Sequence, residues 1–288
     1  MKKITTLIVF CLITSVMLSQ DYKFGKISKE ELLEKVYPQD STANAVYLYN
    51  NIRTYYEYNS STGFNVITEV HKRIKIYNKD GFDYATLDIG YYKPESGDKE
   101  RVSSIKGYTF NFIDGQVKKT KLSKKNIFDE KLNKFRSKKK ITMPNIKEGA
   151  IVELKYRIFS PFSTSLDDLQ FQYNIPVRKL LHQVEIPEYL VFNQIMKGYY
   201  SLPVKKEVKN GNIGNDFNYI INVSKYQGEN IPALKDDEPY ISNIYNYRGG
   251  VKFELTSTKY PNSMLKFYST SWKDVVKTIY KSSNFGKE

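Results

Sequence analysis

The stretch "MPNIKEGAIVELKYRIFS", Met143–Ser160, decides how this chain folds. Val152, Leu154, Tyr156 and Ile158 alternate with Glu153, Lys155 and Arg157. Successive side chains of a strand point to opposite faces, so this twofold period predicts a half-buried strand with the first set toward a core. The strand is entered through Lys147-Glu148-Gly149, where glycine supplies the backbone freedom of a tight turn, and Pro144 belongs to the approach. Just upstream, Lys138, Lys139 and Lys140 form a cationic run. Solvated lysines of this kind suit an edge or a loop, where they discourage strand addition.

The same period extends through most of the chain. In "NVITEVHKRIKIYNKDGFDYATLDI", Val66, Val70, Ile74 and Ile76 share one face and Glu69, His71, Arg73 and Lys75 the other. Asp80-Gly81 then predicts a hairpin turn into a strand carrying Phe82, Tyr84 and Thr86. Asp114-Gly115 predicts a second hairpin between Tyr108, Phe110, Phe112 and a return strand from Val117. Asn210-Gly211 predicts a third, leading to Phe217, Tyr219, Ile221 and Val223. Pro161, Pro176 and Pro187 suit crossovers better than strand interiors. The fold class that follows is mainly β, a large antiparallel β-sandwich, with a short N-terminal helix and a C-terminal helical stub.

Both helices carry start signals. In "SKEELLEKVYP", Ser28 is the N-cap, Glu31 completes a capping box, Leu32, Leu33 and Val36 form an apolar face, and Pro38 marks the stop. In "STSWKDVVKTIYKSSNFGKE", Ser271 and Asp274 take the capping positions, with Trp272, Val275, Val276, Ile279 and Tyr280 at helical spacing. The expected organisation is a leader over 1–20, a helical arm over 21–44, a β-sandwich over 45–258 with a sub-boundary near 176–187, and a linker with the start of a following region over 259–288.

The leader is read from Lys2 and Lys3, the apolar run Ile4–Leu18 and the small or polar Ser19 and Gln20, the pattern of a secretory signal peptide. The run is shorter than the roughly 20 residues a membrane span needs, and no comparable stretch follows. The chain is therefore expected in the periplasm, at the cell surface or outside the cell. Cys11 is the only cysteine and lies in the leader, so the mature chain is expected to hold no thiol and no disulfide. The formal charge of +14 becomes +12 without Lys2 and Lys3. In an exported chain this surplus points to anionic envelope surfaces and polysaccharides, not to nucleic acid.

Candidates for chemistry are few. His71 and His182 lie in strand-like runs without converging ligands, and the basic neighbours of His71 disfavour a cation. Asp167-Asp168 and Asp236-Asp237-Glu238 fall in turn-rich segments and match no calcium loop. Gly81, Gly115 and Gly149 are isolated turn glycines, not a phosphate-cradling loop. Tyrosines at alternating spacing suit core and cross-strand packing. No residue is assigned a catalytic, cofactor-binding or metal role.

Taken together, "KRIKIYNKDGFDYA", "MPNIKEGAIVELKYRIFSPF", "LQFQYNIPVRKLLHQVEIPEY", "ENIPALKDDEPYISN" and "SWKDVVKTIYKSSNFG" resemble an exported bacterial domain of unknown function, DUF3857. The resemblance runs from about Tyr47 to the C-terminus. It implies a β-sandwich that commonly precedes a transglutaminase-like domain, with the segment from Trp272 as its lead-in. The Cys, His and Asp set of such a domain has no counterpart here. The expected function is a non-catalytic exported module that positions a transglutaminase-like domain or binds an envelope protein or polysaccharide. A carbohydrate- or peptidoglycan-binding module is the alternative, and a hydrolase using carboxylates alone is the third; that third reading requires two acids facing one cleft.

Overall fold

The computed structural model describes residues 22–213, 217–237, 240–261, 263–268 and 272–281. The leader, with Cys11, Ser271, Glu238 and the side chain of Asp274 lie outside the described residues. The strand of the opening stretch forms as expected: β8 (Ile151–Ser160) buries Val152, Leu154 and Tyr156. It is an inner member of an eight-stranded sheet that also contains β1 (Ala45–Asn59), β2 (Gly63–Ile76), β4 (Arg101–Ile113), β5 (Gln116–Lys121), β10 (Val177–Pro187), β12 (Val204–Ile213) and β13 (Phe217–Ile231). The strand order is β12-β13-β10-β1-β2-β8-β4-β5. Every neighbouring pair is antiparallel except β1 and β10, which run parallel and join the two halves of the sheet.

One face of this sheet packs on two smaller ones. Val70, Ile74, Val152 and Leu154 meet Leu87, Ile89 and Ile141 of a three-stranded sheet of β3 (Thr86–Tyr92), β6 (Ile127–Lys131) and β7 (Arg136–Thr142). Leu180, Val184 and Tyr226 meet Leu190, Val251 and Phe253 of a second sheet, made of β9 (Leu169–Gln170), β11 (Leu190–Lys197), β14 (Gly250–Thr258) and β15 (Lys266–Phe267). The fold is mainly β, built from several antiparallel sheets, with a short C-terminal helix α2 (Trp272–Lys281). Among the described residues no helix is long and apolar enough to cross a membrane.

The opposite face is covered by the N-terminal arm. Its helix α1 (Lys29–Leu33) has the expected capping box, with Ser28 and Glu31 exchanging hydrogen bonds at 3.1 Å. It stops at Glu34, earlier than Pro38, where the backbone turns extended (ψ 123°) and the carboxylate is held by Arg178 at 2.7 Å. Of the expected apolar face Leu32 is buried, whereas Leu33 and Val36 are exposed and Tyr37 is buried in their place. Tyr22, Leu32 and Tyr37 pack on Val46, Leu48, Phe110 and Ile151.

The turns divide. Asp114 (φ 50°) and Gly115 (φ 76°) close the expected two-residue hairpin between β4 and β5. Asp80-Gly81 instead lies in a 3₁₀ helix over Lys79–Ala85, and β3 leaves β2 to pair with β7. Gly81 is required there for close approach, since a Cβ would stand 2.3 Å from the Asn44 carbonyl oxygen. Asn210-Gly211 lies inside β12, paired with Ile220 and Tyr219, so it is not the expected turn, and the antiparallel pairing continues to Ile213 and Phe217. The prolines fall where expected: Pro161 follows β8, Pro176 precedes β10 and Pro187 is its last residue. Lys138 and Lys139 are not at an edge or in a loop. They sit in β7, the middle strand of its sheet, where Asp88, Glu130 and Asp129 on the flanking strands balance them.

Gly149 has φ +78°, and an added Cβ would touch nothing within 4 Å. Only the backbone opposes a side chain. Gly149→Val is therefore expected to lower stability by about 1–2 kcal/mol, the cost of a left-handed residue, and Gly149→Asn by less. Urea midpoints of the three proteins check this, and an unchanged midpoint for the valine variant would contradict the turn.

Candidate functional site

Two features of the sheet concentrate polar chemistry: a buried ion cluster under the arm and an open cleft at one end. The cluster arises because the second face of β2 does not meet water. Arg73 and Lys75 are at most 2% exposed and Glu153 is 0% exposed. Glu153 Oε1 accepts from Arg73 Nε at 3.1 Å and Nη2 at 2.8 Å, and lies 2.8 Å from His71 Nε2; Oε2 accepts from the Gly25 N–H at 2.6 Å. Arg73 also donates to Glu31 and to the carbonyls of Lys23 and Lys26. Lys75 Nζ donates to the carbonyls of Leu32 and Gly149 at 2.6 and 2.7 Å, and burial pushes its pKa down to about 8.

Burial alone would raise the Glu153 carboxyl, yet the His71 contact, the Arg73 charge and the Gly25 N–H together hold it below its ordinary value. With both Glu153 oxygens occupied by protein groups, the cluster fastens the arm to the sheet and leaves Glu153 no site for a substrate. His71 thus has a structural role in a charged interior. His182 is also interior: it is 0% exposed, its Nε2 lies 3.0 Å from the Gln170 carbonyl oxygen, and burial pushes its pKa down to about 4. Lys72, on the core-facing side of β2, is half-buried with its ammonium between the rings of Tyr47 and Tyr173. Enclosure pushes it down to about 8.

The cleft lies where the connector 93–100 crosses from β3 to β4. Backbone bonds pin both ends of this connector, Lys93 N to the Phe135 carbonyl and Glu100 N to the Tyr92 carbonyl, each at 2.8 Å. One pocket of about 510 Å³ is lined by Ile67, Val102, Phe159 and Tyr91 with the cations Lys93, Lys99, Arg101, Lys139 and Arg157 and the acids Glu57 and Glu100. Its volume suits a small ligand or a short segment of a chain. Arg157 is paired with Glu57 and Lys139 with Asp129. Lys93, Lys99 and Arg101 have no acid within ion-pair distance among the described residues, and Arg101 lies over the Phe159 ring at 4.4 Å.

A second pocket, of about 370 Å³, shares Glu100 and is lined by Val66, Thr68, Tyr92, Ile158, Phe162, Arg136 and Asp167. Asp167 and Asp168, adjacent in sequence, separate here. Asp168 binds Lys197 at 2.8 Å, while Asp167 faces this pocket with Glu100. Asp167 stays exposed at the mouth and is raised above its ordinary value, first by partial enclosure and then by the Glu100 charge, with Arg136 opposing. Glu100 Oε2 is already an acceptor for the Tyr92 N–H at 2.6 Å. Asp236 is held by Arg248 at 2.8 Å and Asn174 at 2.6 Å. Among the described residues no group of His, Cys, Asp and Glu is arranged to hold a metal ion.

A family model described as Domain of Unknown Function with solved structure (DUF3857) matches residues 64–214, more than half of the 288-residue chain. The chain belongs to the DUF3857 family. The match is narrower than the resemblance read from Tyr47 onward, but it contains β2, β3, β4, β7 and β8 and so both walls of the cleft. Among solved structures, this DUF3857 chain is similar to a putative protease from Parabacteroides distasonis at 16% identity and a TM-score of 0.56. The alignment covers 74% of this chain and 41% of that one, so the chain spans less than half the length of that protein. At this identity the likeness shows the fold alone. Two yeast LTA4 hydrolase structures, one native and one with bestatin, align over 77% and 65% of this chain and 31% and 29% of theirs, each at 11% identity. Their TM-scores of 0.29 and 0.27 carry no argument about the fold. No curated protein matches the chain.

Two outcomes test the ion cluster. Glu153→Gln removes one of the two buried carboxylates paired with Arg73 and leaves Glu31 as its remaining counter-charge, which is expected to cost about 3 kcal/mol in a urea titration. Because the native Glu153 value lies below the ordinary 4.5, its contribution is fully present above that value and is lost as pH falls through the native one. The Gly25 N–H is therefore expected to lose its hydrogen-exchange protection in acid, before the inner strands of the sheet do. Simultaneous loss of all protection would contradict an arm held by this carboxylate.

Proposed function

We propose that this DUF3857 chain is a non-catalytic exported module whose C-terminal helix docks onto, and so positions, a transglutaminase-like domain. The observation that carries this reading is the exposed apolar face of α2. Trp272 is 85% exposed, Val276 47% and Ile279 43%, at a spacing that places all three on one side of the helix. Met264, Leu265 and Phe267 are exposed just before it. A run of large apolar residues left in water marks an interaction surface. The similarity to a longer putative protease agrees with a module that works beside further domains. The non-catalytic part of the reading rests on chemistry: Cys11 is the only cysteine and leaves with the leader, so the mature chain lacks the thiol of a papain-like nucleophile.

Trp272 is the only tryptophan, so a chain labelled with fluorotryptophan gives one ¹⁹F resonance reporting on α2 alone. Titration with a purified transglutaminase-like domain of a DUF3857 protein is expected to shift and broaden that resonance. Val276→Ser with Ile279→Ser is expected to weaken the interaction at least tenfold while the thermal midpoint stays unchanged. A resonance unmoved up to the solubility limit of the partner would remove the docking function.

A further inference from the structure

We propose that the cleft between β4 and the connector 93–100 binds an extended acidic peptide, which adds as a short strand to the open edge of β4 at Arg101–Ser103. The first observation is topological. β4 pairs with β8 along Arg101–Ser103 and Lys106–Phe110, whereas β5 covers its other side only over Tyr108–Ile113. The outer backbone edge at Arg101–Ser103 thus has no partner strand among the described residues. An unpaired edge of this kind is a template for an extended segment, with main-chain hydrogen bonds giving affinity.

Charge selects the segment. Lys93, Lys99 and Arg101 line the pocket at this edge beside two engaged acids, Glu57 paired with Arg157 and Glu100 accepting from the Tyr92 N–H, and Lys106 and Lys155 line an adjoining one of about 310 Å³ with Glu69. None of the five is within ion-pair distance of an acid among the described residues, unlike Lys138, Lys139 and Arg157 nearby. These cations oppose pairing with a second copy of this basic edge. They favour carboxylates, and the forked Arg101 guanidinium can take one in two parallel hydrogen bonds. Arg101 and Val102 point to opposite faces, and Val102, on the core side with Ile158, suits the alternate apolar side chains of the same segment. Reach is limited at the far end, where the register shifts between Ser103 and Lys106 and Ser104 adopts φ 53°. The added strand is therefore about three residues long, roughly 10 Å at the usual rise. A short, charge-dependent, reversible interaction follows.

The test uses the whole mature chain and a fluorescein-labelled peptide of alternating valine and glutamate, followed by anisotropy. Micromolar binding is expected, at least tenfold weaker at high salt and absent for the valine–lysine counterpart. Lys99→Glu with Arg101→Glu, both exposed side chains, is expected to weaken it at least tenfold with no change in thermal midpoint. Two further peptides, N-methylated on alternate residues in opposite frames, act on the unmodified protein, so folding of the variant is not at issue. Strand addition predicts that one frame loses at least tenfold and the other binds like the parent. No binding at low salt, equal binding by both frames, or binding of polygalacturonate in place of the peptide each overturn the proposal. The last outcome would make the cleft a site for acidic glycans. None of the arms involves α2, so failure here leaves the docking function standing, and the reverse holds.

Discussion

The constraint on which the rest depends is the pairing of Arg73 with Glu153 beneath the arm. Two ions removed from water lose several kcal/mol of hydration each, and their attraction compensates only when the remaining donors and acceptors are also satisfied. Here the satisfaction comes from outside the sheet. The Gly25 N–H, the Lys23 and Lys26 carbonyls and the Glu31 carboxylate all belong to the arm. β2 and β8 would otherwise present Arg73, Lys75 and Glu153 as an open polar face. With the arm in place that face becomes an interior, and Tyr22, Leu32 and Tyr37 add apolar area to the same contact. Glu34 extends the arrangement by binding Arg178 of β10, so one short segment bridges strands on both sides of the parallel β1–β10 junction.

This coupling explains which parts of the fold could be seen in the sequence. Period-two alternation in β2 and β8 names the residues that share a face, and the core-facing set Val70, Ile74, Val152 and Leu154 follows from it. Alternation does not say what covers the other face. His71, Arg73 and Lys75 look solvated until a segment some 40 residues earlier is laid across them. The usable signal was the Ser28–Glu31 capping box, which fixed a helix near the N-terminus but not where that helix lies. Asp114-Gly115 turns as its sequence suggests because both residues take positive φ and the flanking strands pair directly. Asp80-Gly81 does not, because the Asn44 carbonyl occupies the space beside Gly81 and β3 finds its partner in β7.

The cleft was less legible than the fold, for a related reason. Its cations are spread over the connector 93–100, β4 and β8, and β4 meets β8 only across the intervening three-stranded excursion. The openness of the edge depends on β5 ending at Lys121, opposite Tyr108, a matter of relative strand length. Asp167 and Glu100 come together in the same way, although 67 positions apart in sequence numbering. Local spacing had grouped Asp167 with Asp168, whose side chain goes to Lys197 instead.

The basic surplus of +14 gains meaning from this distribution. Inside the molecule, Arg73 and Arg178 are neutralised by carboxylates of the arm or sheet, and Arg248 by Asp236. On β7, Lys138 pairs with Asp88 and Glu130 on the two flanking strands and Lys139 with Asp129, so these two lysines of the densest cationic run are locally balanced. Lys93, Lys99, Arg101, Lys106 and Lys155 lack that compensation among the described residues, and they line two adjoining pockets. Opposite charges placed within a few ångströms cancel at a distance, whereas like charges gathered at a cleft reinforce one another and focus the field there. Lys138 and Lys139 therefore contribute little field of their own, whereas the uncompensated cations around β4 add to one another at the cleft.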